Sequence, residues 1–253
     1  MIQRDRVRWL NANDVPKGRF VLYWMQASPR AEWNHALEFA IERANEMGQP
    51  LVCLFGITDT YPEANLRHYA FMLEGLRDTQ TSLRNRGIQL VVRQQSPEEA
   101  SVDLARDASL LVTDCGYTRV QRTWRDHTAR HATCSVVQVE TDVVVPLGVV
   151  SPKEEYAAAT IRPKIHRHLD QFLVPLKERR LKRDSLGLKI GGLDLSDADG
   201  VLAGLNVDRS AARQGFYVAA HRGRKRGLTA SLRRNCATTP PSGATRASAS
   251  DRT

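Results

Sequence analysis

The sequence predicts an α/β fold with a five-stranded parallel sheet and helices on both of its faces. Short apolar runs rich in β-branched residues recur along the first 150 residues. Amphipathic segments of helical period separate these runs, as expected of strands joined by crossover helices. The part of the chain with this pattern is about 200 residues long, which is enough for one sizeable core.

Five strands follow from the apolar runs. The first, Phe20–Met25, is apolar throughout, as expected of a central strand buried on both faces. The others are Leu51–Phe55, Ile88–Val92, Leu110–Thr113 and Val136–Val139. Right-handed crossovers between such strands give a parallel, Rossmann-like sheet, for which we consider the strand order 3-2-1-4-5.

Four helices are predicted between the strands, from local start signals. The signals are an N-cap followed by proline, a capping box, or a strongly polar first turn. They lie at Ser28-Pro29, at Thr60 with Glu63, at Ser96-Pro97 and at Arg119. The apolar stripe of the first helix includes Trp33, so we expect that side chain in the core.

A ligand of such a sheet binds outside the carboxyl ends of the strands, where the strand order reverses. With the order 3-2-1-4-5, this crevice lies between strands one and four. The candidate contacts are Trp24, Met25, Gln26 and Tyr117. Gln26 to Arg30 stands where a dinucleotide fold needs Gly-x-Gly-x-x-Gly, which excludes an NAD site of that kind.

Other polar residues allow two interpretations each. Arg119, Arg122 and Arg125 share one helix face, so they form either a phosphate or carboxylate site or an exposed basic stripe. His35 fits a packed or capping residue better than a catalyst. Asp142 either faces the crevice or belongs to a turn.

The sheet domain, residues 20–150, is preceded by an arm, 1–19, and followed by a linker, 151–207. Within the linker, Arg162 to Leu176 predicts one amphipathic helix, because its apolar residues repeat at helical spacing. We expect this helix to dock on a further domain. Without that domain, its apolar stripe is expected to be exposed and to promote association.

Residues 208–253 carry most of the excess positive charge. They contain ten basic and two acidic residues, whereas residues 1–207 contain 27 basic and 26 acidic ones. The low-complexity composition predicts disorder. This tail is either a basic arm that binds nucleic-acid phosphates without sequence preference, or a stretch read out of frame in a GC-rich gene.

The cysteines and the apolar runs indicate the cellular compartment. Four scattered cysteines, without a Cys-x-x-Cys pair, predict buried thiols rather than disulfides or zinc ligands. No signal peptide is expected, and the longest apolar run, Val143–Val150, is too short to cross a bilayer. We therefore expect a cytoplasmic protein that does not bind membranes.

Six stretches of the chain resemble the N-terminal half of the class II cyclobutane pyrimidine dimer photolyases. They are Val21–Gln26, Asn34–Leu37, Asn65–Leu76, Gly116–Arg125, Val139–Pro146 and Lys153–Ile165. The resemblance is specific, because the matches are long and occur in the family's order. It implies an α/β antenna domain followed by a linker.

The resemblance also implies a function. In the family, a helical domain binds FAD and damaged DNA, and photoexcited reduced FAD splits a dimer that has been flipped out of the stack. An antenna pigment such as 8-hydroxy-5-deazaflavin sits between the two domains. Here the basic tail replaces the helical domain, so we expect a truncated chain that is inactive alone. No catalytic residue is carried over, and only the four crevice residues are candidate antenna contacts.

Two other functions are compatible with the sequence. One is a stand-alone α/β module that binds a pigment or a nucleotide in the crevice. The other is a non-specific nucleic-acid binder that acts through its basic tail.

Overall fold

The computed structural model describes residues 2–211. A six-stranded sheet forms its centre, with strands β1 (Val7–Trp9), β2 (Phe20–Trp24), β3 (Leu51–Ile57), β4 (Gln89–Gln94), β5 (Ala108–Asp114) and β6 (Ser135–Val139). The helices are α1 (His35–Met47), α2 (Leu66–Arg84), α3 (Pro97–Ala105), α4 (Arg119–His131), α5 (Leu147–Val150), α6 (Ala158–His166), α7 (Leu169–Phe172) and α8 (Ala198–Ala203). The expected α/β fold is confirmed.

The strand order is β1-β6-β5-β2-β3-β4. The five predicted strands are all parallel and follow the considered order, but the prediction of only five strands is wrong. A sixth strand, β1, lies in the predicted arm and pairs antiparallel with β6, with Val7 opposite Val139. It is three residues long and mostly exposed at the sheet edge, so its sequence lacks the apolar run that marks a buried strand.

The sheet has a core on each face. On one face, α1 and α2 contribute Leu37, Ile41, Leu73 and Leu76 to a large cluster with alternate residues of the strands. On the other face, α3 contributes Ala100 and Leu104 to a smaller cluster that contains Trp24. Every residue of β2 is buried, because helices cover both of its sides.

The start of α1 differs from the prediction. The helix begins at His35, and its N-cap is Asn34, whose side chain accepts a hydrogen bond from the Leu37 amide at 2.9 Å. Ser28 and Pro29 belong to the preceding loop instead. Trp33 adopts a left-handed φ of 52° and is 65% exposed, so its predicted place in the core is wrong.

The start of α2 also differs from the prediction. Asn65 and His68 form the capping box, while Thr60 hydrogen bonds with Thr58 in the loop. By contrast, α3 begins with Ser96 as N-cap and Pro97 as its first residue, as predicted. The α4 start is also confirmed, with Thr118 as the N-cap.

The predicted linker helix is interrupted. It consists of α6 and the single turn α7, with the break at Arg167 and His168. Phe172 is buried against Val145 and Val150, so part of the apolar stripe packs on the chain's own sheet domain rather than facing outward. Leu173 remains 68% exposed.

After α7 the chain runs back along the sheet domain. The Arg179 amide donates to the Glu38 carboxylate at 2.6 Å, and the Ser185 hydroxyl accepts from the Gln89 amide at 2.8 Å. The Leu193 amide then donates to the Val92 carbonyl at 2.7 Å. This segment therefore covers the outer edge of β4.

The first residues of the predicted tail are among those that the structure describes. The Asp208 carbonyl accepts from the Leu66 amide at 2.8 Å, and Arg209 donates to three carbonyl groups around the end of α8. The disorder prediction was made for residues 208–253, and residues 212–253 of that range lie outside the described residues. Cys53, Cys115 and Cys134 are free and buried, as predicted, whereas Cys236 is also outside.

Candidate ligand cavity

A cavity of about 390 Å³ lies over the carboxyl ends of β2 and β3. This volume is within the range of roughly 300–1,000 Å³ that is common for small-molecule sites. The lining is mainly apolar and aromatic, and the residues that matter below are Met25, Gln26, Phe55, Tyr61, His68, Tyr69, Met72, Gln121 and Trp124. The rings of Tyr61 and Trp124 lie 6.0 Å apart at a tilt of 59°. Such walls suit a flat aromatic ligand.

Asp114 fixes the loop that leaves β2. Its carboxylate is fully buried and accepts hydrogen bonds from the backbone amides of Gln26, Ala27 and Ser28 at 2.8–3.0 Å. The Tyr23 hydroxyl donates to the same carboxylate at 3.2 Å. Burial raises the pKa of the Asp114 carboxyl, and the three backbone amides oppose that rise.

Asn34 holds the other end of this loop. Its side-chain amide donates to the Ser28 carbonyl at 3.1 Å, to the Arg30 carbonyl at 2.9 Å and to the Tyr23 hydroxyl at 2.9 Å. The same side chain caps α1. The cavity wall formed by the loop is therefore set by buried polar contacts before any ligand arrives.

Arg125 supports the cavity from α4. Its guanidinium donates to the Gln26 side-chain oxygen at 3.0 Å and to the Gly116 carbonyl at 2.6 Å. Only 7% of Arg125 is exposed, so Arg125 does not share an exposed basic stripe with Arg119 and Arg122, which was one of the two interpretations of this helix face. Arg125 points inward, because the Gly116 carbonyl and the Gln26 side-chain oxygen accept its hydrogen bonds.

A second polar cluster lies beside the loop, around His35. The Asp142 carboxylate accepts from the Ser28 hydroxyl and pairs with Arg30, both at 2.7 Å. Desolvation, followed by the charges of Arg6 and Arg30, lowers the pKa of His35 to about 4. His35 is therefore neutral at pH 7. Asp142 belongs to this loop support, not to the cavity lining.

Comparison with known proteins decides the family. The family model of DNA photolyase matches residues 21–181, which is more than half of the chain. The chain belongs to the DNA photolyase family.

Several curated photolyases are similar to this chain. A deoxyribodipyrimidine photo-lyase of Methanothermobacter thermautotrophicus is 51% identical over 192 residues, which are 76% of this chain and 43% of that protein. One from Arabidopsis thaliana is 33% identical, over 61% of this chain and 32% of its own length. The chain thus spans less than half the length of these photolyase relatives.

A solved photolyase structure shares the fold. The class III photolyase of Agrobacterium tumefaciens superposes with a TM-score of 0.54 at 15% identity, over 74% of this chain and 39% of that one. At this identity, the similarity supports the photolyase α/β fold alone.

The structure brings only part of the predicted crevice together. Met25 and Gln26 line the cavity. Trp24 does not, because its side chain points to the opposite face of β2 and is fully buried in the smaller core. Tyr117 is 40% exposed and lies outside the lining. The cavity is centred on β2 and β3, one strand away from the predicted crevice between β2 and β5.

Sequence reasoning missed the residues that build the photolyase cavity from other elements. His68, Tyr69 and Met72 come from the first turns of α2, and Gln121 and Trp124 come from α4. The capping residues Asn65 and Thr118 could have indicated these positions from the sequence, because they fix which turn of each helix faces the strand ends. Asp114 holds the loop after β2 from the end of β5, and sequence spacing does not reveal this contact.

The described residues provide two further findings. Among residues 2–211, no cluster of three or more His, Cys, Asp or Glu side chains is arranged to bind a metal ion. In the same range, no helix has both the length and the apolar character needed to cross a bilayer.

Proposed function

We propose that this chain provides the α/β domain of a class II cyclobutane pyrimidine dimer photolyase. The family membership and the 51% identity to a deoxyribodipyrimidine photo-lyase support a role in light-driven repair of damaged DNA. The class II assignment depends on the six matched stretches, notably Asn65–Leu76 and Lys153–Ile165. A cytoplasmic location is also part of the proposal.

The cavity is the proposed site of the antenna pigment. Its volume and its aromatic walls fit a tricyclic ring system such as 8-hydroxy-5-deazaflavin. Such a pigment, when bound, supplies light absorption. The chain's own part is to hold the ring system between α2 and α4 and to exclude water with Phe55, Met72 and Trp124.

FAD belongs to the same proposal at a different place. We assign it, together with lesion binding, to the part of the photolyase relatives that this chain does not match. The 253-residue polypeptide is then expected to bind no stoichiometric FAD and to leave pyrimidine dimers unrepaired under blue light. Stoichiometric FAD in the purified chain, or repair by it, would overturn this assignment.

The test of the pigment site is a titration with 8-hydroxy-5-deazariboflavin, followed by absorbance and fluorescence. We expect saturable binding at one pigment per chain. Met72→Trp fills the cavity and should abolish binding, whereas Phe71→Trp, on an exposed neighbouring position of α2, should not. Circular dichroism confirms that both variants fold. An absence of binding, or equal binding by the two variants, contradicts the proposed site.

A further inference from the structure

We infer that three side chains of the cavity, Gln26, His68 and Gln121, are fixed as hydrogen-bond donors and select a ligand whose facing edges carry acceptors. We call them the donor set. The inference rests on the proposed function, since it concerns the same cavity. It adds the residues that determine which edges of a ligand the cavity accepts.

Gln26 is oriented by Arg125. A guanidinium has only donors, so the oxygen of the Gln26 amide must face it, and the two lie 3.0 Å apart. The amide nitrogen makes one long contact, of 3.4 Å, with the Gln121 carbonyl. Gln26 therefore has N–H groups left for a ligand, and Arg125 acts as its positioning residue.

His68 is oriented by the capping box of α2. The Asn65 backbone amide, which can only donate, lies 3.2 Å from Nδ1 of His68. Nδ1 must therefore be the acceptor nitrogen, and in the neutral ring the proton is on Nε2. The contact that starts the helix thus makes Nε2 of His68 a donor.

Gln121 is oriented in the same way at the start of α4. Its side-chain oxygen accepts from the Thr118 hydroxyl at 3.0 Å and from the Thr118 amide at 3.4 Å. Its amide nitrogen is again the group that can donate to a ligand. The capping contacts of α2 and α4 and the buried Arg125 therefore each leave an N–H group to face a ligand.

Charged side chains do not alter this preference within the lining. The described lining residues include no Asp, Glu, Lys or Arg. The Tyr69 hydroxyl proton is used by the Thr58 carbonyl at 2.6 Å, so its oxygen can still accept. The donor preference is assigned to the donor set and not to the whole cavity.

A ligand that covers these donors displaces the water bound to them, so it binds well only if it offers acceptors in return. A flat aromatic ring system with carbonyl or ring-nitrogen acceptors satisfies the donor set. A ring system of similar size with amino donors at the same edges does not. The distinction predicts discrimination between ligands of equal shape.

The experiment compares two tricyclic probes by equilibrium titration of the full chain. 8-Hydroxy-5-deazariboflavin carries two carbonyl oxygens and a ring nitrogen as acceptors, whereas proflavine (3,6-diaminoacridine) carries amino donors. Because proflavine is a cation at neutral pH, both titrations are made at high salt, which screens the contribution of charge. The wild-type chain is expected to prefer the deazaflavin by about tenfold or more. Gln26→Glu presents only acceptors, and its carboxylate pairs with Arg125, so the variant should fold and lower the preference by about tenfold.

Two further variants complete the test. Arg125→Met frees the Gln26 amide to rotate and should reduce the preference while deazaflavin binding persists, a result that general loss of structure would not give. Gln171→Glu, an exposed change outside the cavity, should leave the preference unchanged. Binding of neither probe by the wild-type chain contradicts the proposed pigment site itself. Binding of both without preference, or a preference unaffected by Gln26→Glu, overturns the donor set alone.

Discussion

At the scale of single residues, one buried carboxylate organises the wall of the cavity. Asp114 accepts three backbone amides and the Tyr23 hydroxyl, so it replaces the water that these donors would otherwise bind. The residues it holds, Gln26 to Ser28, include a member of the donor set. The shape of the site thus depends on a side chain that does not line it.

Replacing this carboxylate gives a clear prediction. Asp114→Asn has one acceptor oxygen in place of two and turns an amide group toward backbone donors, so we expect a loss of about 3 kcal/mol in the free energy of unfolding. Urea denaturation measures it. Asp107→Asn, which affects an exposed ion pair with Arg19, should cost less than about 1 kcal/mol. Equal stability of the two variants would contradict this role of Asp114.

His35 predicts how stability depends on pH. Its pKa is lowered from the ordinary value of 6.5 to about 4, first by desolvation and then by Arg6 and Arg30. The unfolded chain therefore binds this proton at a higher pH than the folded chain does. The contribution of neutral His35 to the free energy of unfolding is therefore complete above pH 6.5 and is lost as the pH falls through 4.

The measurement is the urea midpoint between pH 7 and pH 4. The wild-type midpoint should fall with pH in this window, and His35→Gln should make that fall shallower. His131→Gln, a change on an exposed part of α4, serves as the control and should follow the wild type. A wild-type slope that persists in His35→Gln would show that other groups cause it.

Single residues also show where sequence reasoning fails. Ser28-Pro29 is a strong local helix signal, but Asn34 forms more contacts, to Tyr23, Ser28, Arg30 and Leu37. Tertiary hydrogen bonds therefore outweigh the local preference. A pattern in sequence does not reveal partners that come from distant strands.

At the level of elements, the strands with buried apolar runs were predictable, including the edge strand β4, whereas β1 and the interrupted linker helix were not. The five strands with apolar runs are largely buried, so their sequence carries the signal. β1 is held by pairing with β6 and by Arg6, which donates to the carbonyls of Glu140, Val143 and Val144. Such pairing leaves no periodic pattern.

The interruption of the linker helix also left no pattern in the sequence. Phe172, in the second part of that helix, gives a testable prediction. Phe172 is 2% exposed and lies 5.5 Å beneath the Arg6 guanidinium. Phe172→Ala should therefore destabilise the chain by about 3 kcal/mol in urea denaturation. Leu173→Ala removes a neighbouring apolar side chain that is mostly exposed, and it should cost less than about 1 kcal/mol. Tolerance of Phe172→Ala would instead favour an outward-facing helix.

At the scale of the whole molecule, the linker is built into the domain. A buried ion pair joins Glu38 of α1 to Arg86 at 2.6 Å, and the same carboxylate accepts the Arg179 amide. Arg86 also donates to the Arg179 carbonyl at 3.1 Å. The returning chain is thus fastened to the helices that support the cavity.

This fastening can be tested by proteolysis. Glu38→Gln leaves the Arg86 guanidinium without a carboxylate and should cost about 3 kcal/mol. We expect faster tryptic cleavage between Arg179 and Arg183, followed by mass spectrometry. Glu46→Gln, which removes an exposed pair with Arg43, should not change the cleavage rate. Unchanged cleavage in Glu38→Gln would mean that the linker is held by other contacts.

The cavity over β2 and β3 is proposed to hold a flat aromatic pigment. A crystal structure of the chain grown with 8-hydroxy-5-deazariboflavin tests it most directly. We expect the ring system next to Trp124 and Tyr61, with its acceptor atoms within hydrogen-bond distance of Gln26, His68 and Gln121. Pigment bound elsewhere, or a cavity that contains only water in a crystal saturated with pigment, would contradict the proposed site.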